Sequence, residues 1–520
     1  MEQYDVVILG AGHNALVLQA YLAKAGLKTI ALERRSKPGG GLDTIEYPAG
    51  SGFLQNPHSF FHRGITSMPW FVDLQLEANG AHYIEPNCNV SVINRDHQAI
   101  KWHRDFNVTL QTVREFSAAD ADKLEYWHET FRPVLTEILI PELRRPPVPT
   151  EERSHLLHQS AAGRLLLKVS ALSPLEFVNR EFEHPFVKGA LLFFNGLREV
   201  DLRLPGFGYH IPALLASDTL AQMCVGGSEQ LALSLCKVIR GADGEIRCNC
   251  DIEEIRVSGG RSTGVRLTTG EIIHAKRAVV SSLNPQQTLL QLLASEHVPS
   301  SWREKAERFR YNLIAPLFGV YVNLNSPVSY RAADNDPEIN ESLMTVLGLD
   351  DVSQFSEIVE HHEQGTIPPT VMWGSCPTRF DPSQSPVDQH TAFMWEKLPM
   401  DVHGDRDHWN DLAEDHAKSM TELWSRHAPG LRDSILGVRV QSPLEIQQTL
   451  HNMIDGDLLV GSFDHGQIGY NRPFEGAGHY RTCVAGLYMC GSSCFPGGNI
   501  TGLPGYNCQQ VLKADLSIVD

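Results

Sequence analysis

Tyr4-Asp5-Val6-Val7-Ile8-Leu9 runs into Gly10-Ala11-Gly12-His13-Asn14-Ala15, then an apolar stretch, then Thr29-Ile30-Ala31-Leu32-Glu33. The order is strand, tight glycine turn, helix and a second strand ending in an acid. Gly10 allows the sharp turn, Gly12 lets a pyrophosphate approach the backbone, and Ala15 is small enough for close packing of helix on strand. The helix start offers unpaired N–H groups and the positive end of its dipole to phosphates. Glu33 stands ~20 residues past the glycines, where an acid accepts hydrogen bonds from ribose hydroxyls.

The surroundings agree with that reading. Val6 to Leu9 has the composition of a buried strand, Ala15, Leu18, Leu22 and Ala25 mark one helical face, and Gly26 ends the helix. The alternative is a structural turn with no ligand, which explains the glycines but not the acid. Glu33 is followed by Arg34-Arg35 and then by Gly39-Gly40-Gly41-Leu42-Asp43. An arginine here suits a ribose 2′-phosphate, but Glu33 would repel one. The second glycine cluster suits a cofactor that lies extended and needs a second close backbone approach.

At this point the chain resembles the FAD-dependent amine oxidase and phytoene desaturase superfamily. The resemblance implies FAD, with Glu33 on the adenosine ribose and Gly40, Gly41, Leu42 and Asp43 in the run against the pyrophosphate, beside Gly10, Gly12, Asn14, Ala15 and Arg34. Three further blocks carry it. Ile246 to Ile255, the hairpin pair Gly264–Leu267 and Ile272–Ala275, and Ala278 to Ser282 are similar to the family's middle segment, which places Ile252 at the adenine. Thr378-Arg379-Phe380-Asp381-Pro382-Ser383 is similar to the phytoene-desaturase-like branch. Leu487-Tyr488-Met489-Cys490-Gly491-Ser492-Ser493 followed by Pro496-Gly497-Gly498-Asn499-Ile500-Thr501-Gly502 matches the final strand and helix start. Gly491, Ser492, Asn499 and Ile500 are therefore candidate cofactor contacts, and the helix dipole would favour negative charge on the reduced ring. Arg472-Pro473 and Phe463-Asp464-His465-Gly466 fit the approach to that strand. Cys494 departs from the pattern, and is read either as a small buried thiol or as a point of covalent attachment.

The resemblance implies an α/β fold, with a Rossmann-like FAD domain built from residues 1–110, 215–300 and 445–520. An interleaved α+β substrate domain takes 111–214 and 301–444. Its implied activity is dehydrogenation or desaturation of a largely apolar substrate, by hydride transfer to flavin N5 with oxygen or a quinone as acceptor. His58, in the loop Gln55-Asn56-Pro57-His58, and His465 are candidate bases. Two rivals remain: an oxidase of small amines on the same fold, and a non-catalytic prenyl-binding relative. The intact glycine and acid set speaks against the second.

Composition narrows the field. The chain has 520 residues, 42% hydrophobic and 20% charged, with a formal net charge of −18. That length predicts two or three domains with a sizeable core. The acidic balance excludes a general nucleic-acid binder and leaves at most peripheral membrane contact. No apolar run reaches the length of a membrane helix, and the first strand begins too early for a signal peptide. The 10 cysteines are scattered, with Cys248 and Cys250 in a strand-like run, so a reduced cytoplasmic protein with neither disulfide framework nor metal site is expected. Ser117 and Asp120 predict a capping box, Ser173-Pro174 a helix start, and Leu191-Leu192-Phe193-Phe194 either core or the lining of an apolar pocket.

Overall fold

The computed structural model describes residues 3–195, 200–464 and 466–518. Two seven-stranded sheets organise the chain. The first has the order Glu245–Arg247, Thr29–Leu32, Gln3–Leu9, Ile272–Ser281, Arg261–Leu267, Ile252–Ser258, with Leu487–Met489 also on Ile272–Ser281. Its central pairs are parallel: Val6 to Leu9 lie against Thr29 to Leu32 on one side and Ala278 to Ser281 on the other. Ile272–Ser281 divides its pairing. Its first half closes an antiparallel hairpin with Gly264 to Arg266, and its second half runs parallel to Leu487 to Met489. This is the mixed α/β, Rossmann-like arrangement expected from the sequence.

The helix His13–Lys24 is buried on nearly every side, not on one face. It is covered by the helices Leu503–Asp515 and Glu229–Gly241. Gly505 permits the first crossing, because a Cβ there would lie 2.0 Å from the Asn14 carbonyl oxygen. Gly26, with φ of +80°, ends the helix one residue after its cap.

The second sheet has the order Ile435–Gln441, Leu317–Leu324, His390–Lys397, Met372–Ser375, Met344–Leu347, Cys88–Ile93, Ala99–His103. It is antiparallel except where Met344 to Leu347 pairs with Val90 to Ile93. The strands at 88–103 were expected with the 1–110 segment of the dinucleotide unit; they pair instead in this second sheet. Short β-hairpins carry no sheet address of their own, and the pairing partner lies some 250 residues away. Register places Trp373, Trp395 and Gln441 in one cross-strand row and Ser375, Phe393, Tyr321 and Arg439 in the next. The aromatic members pack on the helices of residues 118–193, among them Phe131, Phe177 and Leu191 to Phe193. Leu191 to Phe193 of the expected apolar stripe lie in the core; the Phe194 side chain is outside the described residues.

Local signals resolve in two directions. Ser173 forms a full capping box with Glu176, ahead of Pro174. Ser117 caps its helix by accepting from the Asp120 N–H, but the box is not closed. The Asp120 carboxylate turns away to accept the N–H groups of Glu183 and His184 at 2.8 and 2.9 Å. The Cys248–Cys250 run is not strand. Asn249 sits at φ +57° and breaks the chain between Glu245–Arg247 and Ile252–Ser258.

Candidate dinucleotide-binding site

A groove of about 410 Å³ opens at the carboxyl ends of the parallel strands, where ligands of open α/β sheets bind. Its floor is the first turn. No side chain caps the helix that begins after Gly12, and its first turn holds no acid, so its N–H groups face the groove. Gly12 would gain a Cβ in empty space, with nothing within 4 Å. The second glycine turn lies directly opposite. Gly12 and Gly39 form a parallel bridge, and a Cβ on Gly40 would sit 3.1 Å from Gly12 Cα. Thus two backbone segments with no side chains face one narrow space.

Glu33 is pinned at the end of its strand. One carboxylate oxygen accepts the Ala11 N–H at 2.9 Å, and the other accepts the Arg35 N–H at 2.9 Å. Each oxygen keeps a lone pair for a hydroxyl donor. Asn14 donates to Ser492 Oγ at 3.1 Å, while its buried Oδ1 has no partner in the protein. A buried acceptor left open at the groove wall, an acid aimed at hydroxyls and a cradle without side chains fit an adenine dinucleotide.

Residues 8–69 match the family model described as an NAD(P)-binding Rossmann-like domain. The chain is 28% identical to a limonene dehydrogenase subunit of Castellaniella defragrans, over 100% of this chain and 96% of that protein. It is 24% identical to a lycopene-forming phytoene desaturase of Pseudescherichia vulneris, over 99% of each. The solved structure of putrescine oxidase bound to putrescine superposes with a TM-score of 0.65 at 13% identity, over 99% of both chains. Over its full length the chain is similar to oxidoreductases of the phytoene desaturase type, and it shares the fold of the amine oxidases.

Gly10, Gly12, Asn14, Ala15, Glu33, Arg34, Gly40, Gly41, Ile252, Gly491 and Ser492 all line the groove. The remaining expected contacts stand back from it. Leu42 is buried in the core. Asp43 lies behind the second glycine turn, paired with Arg35 at 2.5 Å and with Lys37. Burial pushes the Asp43 carboxyl up, but Lys37 and Arg35 outweigh this and hold it below its ordinary range. Because Arg35 also donates to the Gly40 carbonyl, at 3.2 Å, Asp43 braces the turn. Asn499 contributes a carbonyl to His13, and Ile500 packs on the same core. The start of the final helix abuts the buried Trp70, whose ring fills the place of a Cβ on Gly502.

His58 is buried and outside the groove lining, with Nδ1 unpartnered. Burial lowers its pKa to about 3, against an opposing pull from Asp43. His465 lies outside the described residues. The residues 55–61 are clamped on the second sheet: Gln55 donates to Asn323 at 2.8 Å, Tyr321 donates to the Pro57 carbonyl at 2.9 Å, and Phe61 meets Trp395 edge-on. His58 therefore sits between the two sheets.

Several groove residues carry no motif. His13 donates Nε2–H to the Asn499 carbonyl at 3.2 Å, and its pKa falls to about 4 through burial, so it is neutral. Ser282 and Leu283 end a parallel strand beside Gly10. Thr449 to Met453 crosses from the second sheet and is tied down by Asn452 to the Asn284 N–H, at 2.7 Å, and by Arg34 to His451, at 2.5 Å. The strand end was legible from its position next to the first strand; the crossing segment had no local signal. Among the described residues no group of three or more acids, histidines or cysteines is placed to hold a metal, and no helix is long and apolar enough to cross a membrane.

Proposed function

We propose that this protein is an FAD-dependent dehydrogenase of a small, largely apolar organic molecule, with an isoprenoid or cyclic hydrocarbon as substrate class. The observation that carries the reading is the pair of facing glycine turns with Glu33 and the open Asn14 Oδ1. Bound FAD would supply a two-electron acceptor for hydride from a substrate C–H bond, to be reoxidised by oxygen or a quinone. Gly12, Ala15, Gly40 and Gly41 would hold the pyrophosphate, Glu33 the ribose, and Ile252 the adenine side. His58 has a free ring nitrogen, but burial that holds its pKa at about 3 makes it a weak base for the proton that leaves in a desaturation. The aromatic face of the second sheet excludes water from the reacting centre.

The substrate class is supported by the full-length likeness to the limonene dehydrogenase protein. The aromatic cluster of Phe60, Phe61, Phe393 and Trp395 also suits a small amine, since cations favour ring faces. The test is the visible spectrum of the purified protein, followed by anaerobic titration with limonene and with a primary amine. Flavin bands bleached by the hydrocarbon are expected. Bleaching by the amine alone would replace the substrate class, and a colourless protein that FAD cannot reconstitute would replace the enzyme with a binding module.

A further inference from the structure

Arg472 has no exposed surface, and among the described residues no carboxylate lies within ion-pair distance of it. Its donors go to carbonyls only: Ser462 at 2.8 Å, Gln467 at 3.1 Å, and Gly461 and Ser492 both at 3.2 Å. Its Nε has no partner, and its guanidinium lies 4.2 Å over the Phe463 ring. Carbonyls satisfy the donors without cancelling the charge, and burying an unpaired cation is costly. Burial lowers its pKa only to about 10, so it stays charged at neutral pH.

The compensating charge is Asp457, also fully buried. It accepts the N–H groups of Asn312, Leu459 and Gly461 at 2.9, 2.8 and 2.7 Å. Gly461 is the hinge between them, giving its N–H to Asp457 and its carbonyl to Arg472. The arginine reaches the dinucleotide groove through the Ser492 carbonyl, because Ser492 lines it. The aspartate reaches Asn312, which lines a different cavity. Burial pushes the Asp457 carboxyl up, and the three N–H groups it accepts oppose that push.

We propose that Arg472 is a positioning residue whose charge, separated from Asp457 by Gly461, favours added negative charge on the cofactor held in the groove that Ser492 lines. The inference rests on the FAD reading. A hydride brings two electrons and one proton to the flavin, leaving one extra negative charge at neutral pH. A preorganised cation at the wall lowers the energy of that state and makes the cofactor a stronger oxidant.

The test uses the FAD-loaded protein and two readouts: the flavin midpoint potential, and the affinity for sulfite, which forms a negatively charged complex with oxidised flavin. Arg472→Gln is expected to lower the potential and weaken sulfite binding about tenfold or more. Arg472→Lys restores most of both. Asp457→Asn shifts both the opposite way, which a packing role for either side chain does not produce. An unmoved potential in Arg472→Gln with FAD bound overturns the proposal. Should Arg472→Gln fail to retain FAD, Asp457→Asn decides, and an unchanged or lower potential there overturns it. A wild-type protein that takes up no FAD fails the cofactor reading itself.

Discussion

The groove of the first sheet and the face of the second keep glycine for opposite purposes at Gly12 and at Gly374. In the first sheet Gly12 faces empty space, with no atom within 4 Å of a Cβ. In the second, a Cβ on Gly374 would lie 1.7 Å from the Phe393 carbonyl oxygen, and one on Gly319 would enter the Tyr321 ring at 2.7 Å. The first sheet works at its strand ends, through backbone that a ligand approaches. The second works through its face, where Tyr321, Phe393 and Trp395 fill the space that missing side chains leave. A glycine kept for a ligand and a glycine kept for packing differ in what surrounds them, not in the residue.

That contrast is open to direct test. The largest effect is expected from Gly374→Ala, which forces two strands apart and costs several kcal/mol, on the order of the worst core substitutions. Chemical denaturation of the apo-protein reads the loss. Gly12→Val should leave apo-protein stability within about 1 kcal/mol, because nothing is displaced, while abolishing FAD retention measured by absorbance. If Gly12→Val unfolds the protein, or Gly374→Ala leaves its melting point in place, the contrast fails.

The smaller expected effect concerns pH. His58 and His62 have pKa values lowered by burial to about 3, and His13 to about 4. In the second sheet's half, His362 and His427 are lowered to about 4, again chiefly by burial. Below pH ~6.5 the unfolded chain takes up these protons and the folded chain does not, so stability is complete above 6.5 and falls as the pH drops toward 4. Each of the fully buried histidines contributes up to roughly 3–4 kcal/mol to that loss. His58→Asn should flatten the decline of the urea midpoint between pH 6.5 and 4, and an unchanged slope would show that His58 is protonated in the native state.

Much of the site could be read from the chain. Gly10, Gly12, Ala15, Glu33, Gly40 and Gly41 announce themselves because phosphate and ribose binding depends on local backbone shape and on one acid at a set distance. Asp43 was legible as part of the motif but not in its role, since its partners Arg35 and Lys37 bind it from behind. His13 and Thr449 to Met453 were silent. Each reaches the groove through a partner hundreds of residues away, such as Asn499 for His13 or Asn284 for Asn452.

The sequence by itself determined the dinucleotide turn, its acid and the parallel strands around them, because these follow from steric rules within a few tens of residues. Only the tertiary structure decided that the 88–103 strands join the second sheet, that Asp120 abandons its capping box, and that Arg472 stands behind Ser492. Those outcomes depend on which buried polar groups meet across the core, where an unpaired charge or carbonyl costs more than any local preference can offset.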